Sequence, residues 1–171
     1  MRVFISYSSK DIEYAQTVKA LLDSLQLHVF LAETSLSPGR RLEEVIKEIR
    51  ASDALLVVWS HHAKSSEWVR EEIGAALGTE KLVLPVMLDE TTAPPAFLRG
   101  MRYVNAYENP MASLPVIQQT IVEWHRWVNN RRKQEEQKRQ ADGFWRLVMG
   151  GLALVGGVTV LDNLGKPDSR R

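Results

Sequence analysis

The sequence predicts an α/β domain on a five-stranded parallel sheet in the flavodoxin-like order 2-1-3-4-5, with helices on both faces and a helical tail. Three observations carry this. Short apolar runs rich in branched residues, clearest in ALLVVW at Ala54–Trp59, are too short for helices and read as buried parallel strands. Between them lie segments of helical length whose apolar residues recur at spacings of three and four. The chain is 171 residues long and 44% hydrophobic, enough for one core plus appendages. Strands alternating with helices imply parallel pairing, and right-handed crossovers restrict the topology. In this order ligands bind outside the carboxyl ends of the strands, where strands one and three diverge.

Taken in order, residues 2–7 read as strand one. Ser8 and Asp11, three apart, read as a capping box opening helix one, in which Ile12, Ala15, Val18, Leu22 and Leu25 face inward and which ends near residues 24–26. Strand two is expected at 28–32. A loop over 33–41 follows, with the turn signal Pro38-Gly39, and then helix two with Leu42, Val45, Ile46 and Ile49 inward. Strand three is Ala54–Trp59, and strand four is placed at 81–88. Pro85 cannot donate to a ladder, so a bulge or an edge-like gap is expected there. A loop at 91–97, a short strand five at 102–107 and a last helix over 111–131, with Val116, Ile117, Ile121, Trp124 and Val128 inward, complete the domain.

The stretch SHHAKSSEWVREEIGAAL, residues 60–77, stands apart from plain connectors. Ser65 or Ser66 can N-cap its helix, with Glu67 at the positive end of the dipole. On a helical wheel Val69, Ile73, Ala76 and Leu77 form the inward stripe and Glu71 points away from it. Glu72 lies on the shoulder, on the same side as Trp68 four residues earlier. From the residues alone this pair reads either as a site at the loop mouth or as a Trp packed on the sheet edge beside a solvated Glu.

Composition excludes several classes. Without cysteine there is no disulfide framework, thiolate metal site or cysteine nucleophile, as in a reducing cytoplasm. A net charge of +1 gives no general attraction to nucleic acid, and the opening RVFISY reads as a strand, not a signal peptide. No metal site is expected, since His61 and His62 are adjacent and His28 and His125 are remote in sequence. A phospho-receiver would carry acidic residues after strand one and an Asp at the end of strand three, where Ser8, Ser9 and Ser60 stand. A flavin-binding protein would carry a glycine-containing phosphate loop where SSKDIEY stands.

After the domain, assigned to residues 1–130, residues 131–143 form a charged helical extension or linker. Residues 144–162 are an apolar segment read as transmembrane or oligomerising, and 163–171 are a polar tail. Residues 144–161 carry a single charge, Arg146, and as a helix span about 27 Å, just short of a ~30 Å hydrocarbon core. Gly150, Ala153 and Gly157 share one face, as small residues do where membrane helices pack.

VFISYSSKD, SLSPGRRLEEVIKEI, SDALLVVWS and SEWVREEIGAAL together resemble, in order and spacing, the motif blocks of a bacterial TIR (Toll/interleukin-1 receptor) domain, over roughly residues 1–128. The chain differs from many bacterial members at Ala32-Glu33, where they have an Asp, at Leu42, where they have a Trp, and at Ala63, where they have an aromatic. The resemblance implies an enzyme of the NAD+ nucleosidase type, with Glu72 of the W-x-x-x-E pattern catalytic and Tyr7, Ser8, Ser9, Glu33 and Trp68 binding substrate. It also implies that Ser37, Pro38, Gly39 and Arg40 close over a neighbouring protomer's site, so that the chain assembles through TIR–TIR contacts. NAD is then the substrate, no cofactor is required, and the product is ADP-ribose or a cyclic isomer. The setting implied is antiphage defence signalling by a cytoplasmic domain, with the apolar segment as an inner-membrane anchor. The alternatives are a non-enzymatic scaffold or adaptor for partner TIR domains and a virulence effector.

Overall fold

The computed structural model describes residues 1–31, 42–79 and 81–161, without the side chains of 42, 97, 148 and 150–161. The sheet has the order β2-β1-β3-β4-β5, all parallel, as predicted. Its centre is β1 (Arg2–Ser6) beside β3 (Ala54–Trp59), in register from Val3↔Ala54 to Ser6↔Val57. Every residue of this pair except Arg2 is buried, which is why β3 reads as a continuous apolar run and not as an alternation. β2 (His28–Leu31) flanks β1, and β4 (Leu82–Met87) pairs with all six residues of β3.

The chain crosses from β1 to β2 in one direction through α1 (Ile12–Ser24). It returns in the other through α2 (Leu42–Ala51) and α4 (Glu67–Leu77). Right-handed crossovers therefore put α1 on one face and α2 with α4 on the other. A short α3 (His61–Ser65) precedes α4. The last helix, α5 (Pro110–Leu161), adds Ile117 and Ile121 to the core, and its Ser113 hydroxyl meets that of Tyr14 on α1 at 2.6 Å. Residues Met1–Val128 form one compact unit and Asn129–Arg171 a second.

Several expectations are corrected. Ser8 and Asp11 do not form a capping box: the Ser8 hydroxyl accepts from the Lys10 amide at 3.4 Å, and the Asp11 carboxylate accepts from the Ser60 hydroxyl. Asp11 is drawn across the sheet edge because α1 begins with a 3-10 turn, Ser9–Asp11, which swings its side chain toward the loop after β3. The register runs unbroken through Val57↔Pro85, so there is no bulge. Pairing with β5 (Val104–Asn105) starts only at Val86↔Val104, which leaves Pro85 the edge-like gap on that flank. β5 is shorter than predicted because Arg102 and Tyr103 face solvent. Val116 is 46% exposed, the inward stripe of α5 running instead through Ser113, Ile117, Ile121 and Val128. The loop at 33–41, and with it Glu33, Ser37, Pro38, Gly39 and Arg40, lies outside the described residues, as does the Leu42 side chain.

In the second unit the side chains of residues 131–147 are exposed, and Arg131 pairs with Glu135 one turn on at 3.1 Å. Among the described residues no helix is long and apolar enough to cross a membrane, so the expected spanning anchor finds no support; the side chains from Gly150 on lie outside the description.

α1 ends on Gln26, whose backbone is left-handed at φ 57° without being glycine. The turn is secured by the Gln26 amide on the Asp23 carbonyl and the Leu27 amide on the Leu22 carbonyl. Because the side chain is exposed, Gln26→Gly is expected to stabilise the domain by about 0.5–1 kcal/mol, relief of left-handed strain outweighing the added freedom of the unfolded chain. A higher denaturant midpoint at unchanged m value checks this; a lower midpoint contradicts it.

Candidate functional site

The loops leaving β1 and β3 meet at the carboxyl ends of the strands. Ser60 ends β3 and caps α3, accepting from the amides of His62 and Ala63 at 3.1 Å each, while its own proton goes to Asp11 Oδ2 at 2.6 Å. All its hydrogen-bonding capacity is spent on tying the two loops together. α3 then ends, and Ser66 caps α4 by accepting from the Val69 amide at 3.3 Å, one of the two caps the sequence offered.

Between these loops is a cleft of about 370 Å³ lined by Ser8, Ser9, Lys10, His62, Ser65, Ser66 and Trp68. Three predicted site residues, Ser8, Ser9 and Trp68, therefore come together there. Trp68 is 37% exposed, a large aromatic face at the cleft wall. Tyr7 is placed elsewhere: it is buried in the hydrophobic core and does not line the cleft. Glu33 lies outside the described residues.

Glu72 follows Trp68 by one turn of α4, about 6 Å along the axis. The wheel put it on the shoulder of the helix, and the structure buries it to 4% exposure, whereas Glu71 is exposed. Its carboxylate Oε2 accepts a 2.5 Å hydrogen bond from the hydroxyl of Ser6, the wholly buried last residue of β1. Oε1 accepts none. Among the described residues Trp59 Nε1 is the one buried side-chain polar atom without a partner. The carboxylate is thus anchored through one oxygen to the end of β1. Burial pushes its pKa up from the usual 4.5 to about 7; the Ser6 hydrogen bond opposes that rise and the neighbouring Glu71 charge adds to it.

The sequence reading did not single out Ser6, because the resemblance carried over only Tyr7, Ser8 and Ser9 as binding residues of this loop. The available signal was a serine ending an otherwise apolar buried strand, since a buried hydroxyl must find a partner. Lys10, His62, Ser65 and Ser66 of the cleft were also not singled out as binding groups. Their loops were identified, but α3, which brings His62 and Ser65 to the cleft, was not.

This geometry defines a doubly wound α/β protein with a polar cleft at its switch point and a buried carboxylate one helical turn from the cleft's Trp68. The family model for the TIR domain matches residues 3–116, and the chain belongs to that family. Among solved structures it is similar to the TIR domain of the Toll-related receptor TRR-2 of Hydra magnipapillata, 21% identical over 71% of this chain and 94% of that one, with a TM-score of 0.58. It is also similar to the CMP N-glycosidase BcmB of Clostridium botulinum, 16% identical over 68% of this chain and 98% of that one, with a TM-score of 0.55. At these identities the likeness is one of fold. No curated protein matches the sequence.

The raised pKa of Glu72 has a consequence for stability. The folded state holds a proton that the unfolded state has lost between about pH 4.5 and 7, so stability is greatest below this window and falls as pH rises through it. By pH 8 the charged form costs up to about 3 kcal/mol, a cost that Glu72→Gln removes. Denaturation of both proteins at about pH 5 and pH 8 should show the variant gaining on the wild type at the higher pH. A difference between the two proteins that does not change with pH would contradict the burial described.

Proposed function

We propose that this TIR domain is an NAD-cleaving enzyme that breaks the bond between nicotinamide and ribose. The observation that carries the proposal is the placement of Glu72, one oxygen held by Ser6, one turn of α4 from Trp68 on the cleft wall. Cleavage of that bond builds oxocarbenium character on the sugar, while nicotinamide leaves as a neutral molecule and needs no proton. A fixed carboxylate beside the ribose stabilises the developing charge and orients the hydroxyls, as in glycoside hydrolysis. Capture of the sugar cation by water gives ADP-ribose, and capture by a nucleophile of the same molecule gives a cyclic isomer. A CMP N-glycosidase shares the fold, which supports the compatibility of this scaffold with cleavage of an N-glycosidic bond.

In this reading Trp68, Ser8 and Ser9 contact the nicotinamide half, and Ser37, Pro38, Gly39 and Arg40 of a neighbouring copy complete the site, with turnover feeding an antiphage nucleotide signal. A second reading, a scaffold that assembles with partner TIR domains without turnover, draws on the small exposure of Glu72, 4% in the isolated chain. Assembly separates the two. If copies complete one another's sites, turnover per molecule rises with protein concentration or forced clustering; an adaptor consumes no NAD under either condition.

Two variants test the residue choice. Glu72→Gln keeps shape and removes charge, so nicotinamide release should fall by about 100- to 1,000-fold, the usual effect of losing one preorganised group in the transition state. Glu71→Gln, on the exposed face, should retain most of it. In the wild type, kcat/KM should rise with pH through about 7 as Glu72 ionises. Equal losses in both variants, or no nicotinamide from clustered wild type, would favour the scaffold.

A further inference from the structure

We propose that Ser6 is the positioning residue of the site: its hydroxyl holds Oε2 of Glu72 in the interior so that Oε1 is the oxygen offered to the ribose. The inference rests on the NAD-cleaving reading for its purpose, and on the geometry of this chain for its substance. Ser6 is wholly buried at the end of β1, where it pairs with Val57 of β3. Glu72 lies 66 residues further on, on a helix packed over β1 and β3. A carboxylate there could turn about its last torsions, which are broad and weakly restrained. The Ser6 hydroxyl, a single directional donor at 2.5 Å, removes that freedom.

The hydroxyl also decides when the carboxylate is charged. A buried acid favours its proton, and a donor aimed at one oxygen favours the ionised form. The other charged groups near α4 are poorly placed to do this. Glu71 has the wrong sign and raises the pKa. On α2, Glu43, Glu44, Lys47 and Arg50 are exposed, and Glu48 is paired with Arg2 of β1 at 2.9 Å. On α3, His61 and Lys64 are exposed and His62 is half-buried in the cleft wall. β3 carries no charge. Among the described residues Ser6 is therefore the group whose interaction favours the charged form of Glu72.

Ser6→Ala removes the hydroxyl and little else, so the domain should fold and the effect should appear in the pH dependence. Loss of a hydrogen bond to a charged group is expected to move the acid limb of kcat/KM upward by about one pH unit, so that the loss of rate is about tenfold greater near pH 6 than above pH 9. Ser6→Thr, which keeps a hydroxyl, should restore the wild-type limb. The Glu72 side-chain carboxyl, followed by carbon-13 NMR on the full chain without substrate, should titrate at correspondingly higher pH in Ser6→Ala. A loss of rate that is equal at every pH, with the Glu72 titration unmoved, would reduce Ser6 to a packing residue and overturn the proposal. If the wild type cleaves no NAD, the functional reading falls and the titration alone decides: a shifted midpoint upholds Ser6 as the group that positions Glu72, and an unshifted one overturns it.

Discussion

The two-sided burial of β1 and β3 is the constraint from which the rest of the structure follows. With both faces of the sheet covered, a polar side chain on either strand has no solvent to turn to, and β1 ends in one, Ser6. Its partner must come from a helix packed above, and α4 supplies Glu72. An unmatched buried carboxylate would be costly, and so would an unmatched buried hydroxyl; each makes the other tolerable. That mutual need joins two segments 66 residues apart and fixes how deep α4 sits against the strands. Because α4 is fixed, Trp68 one turn earlier reaches the cleft, and Ser66 caps the helix at the cleft rim.

A second tie works at the mouth of the site. Ser60 holds Asp11 with its proton while it caps α3 with its lone pairs, so the loop after β3 is locked to the loop after β1. The cleft between them is thereby shaped by backbone and by short side chains that have already spent their hydrogen bonds. The groups that can meet a ligand are the Lys10 and His62 side chains, the Ser8 and Ser9 hydroxyls and the Trp68 ring. The division resembles that of many binding sites, in which satisfied polar groups hold the frame and a few others make contact. Glu72 belongs to the frame through Oε2, which Ser6 holds.

Much of this was legible in the residues, and the exceptions have physical reasons. The strands and their parallel pairing followed from apolar runs and helical spacing, because burial on both faces leaves an unmistakable pattern in a parallel strand, and the crossover rule narrowed the order. The wheel separated Glu72 from Glu71, since a 3.6-residue period distinguishes neighbours by about 100°. What a wheel cannot give is depth, which is set by what lies beneath the helix, and so Glu72 was read as a shoulder residue when it is buried on Ser6. Ser8 and Asp11 have the spacing of a capping box, yet Asp11 found a better partner in Ser60, a residue 49 positions away that no local rule includes. Tyr7 was carried over as a binding group by the resemblance, but its side chain fills the core. Pro85 raised a correct objection: the sheet accommodates it by beginning the next pairing one residue later.

The central claim is that Oε1 of Glu72 meets the sugar while Ser6 holds Oε2. The most direct test is a crystal structure of the Glu72→Gln variant with intact NAD, in which the weakened chemistry preserves the substrate. The account predicts the nicotinamide half against Trp68, a ribose hydroxyl within hydrogen-bonding distance of the residue 72 side-chain atom that replaces Oε1, and the Ser6 contact to the other atom retained. NAD bound away from the cleft, or bound in it with residue 72 still covered and out of reach of the ribose, would contradict it.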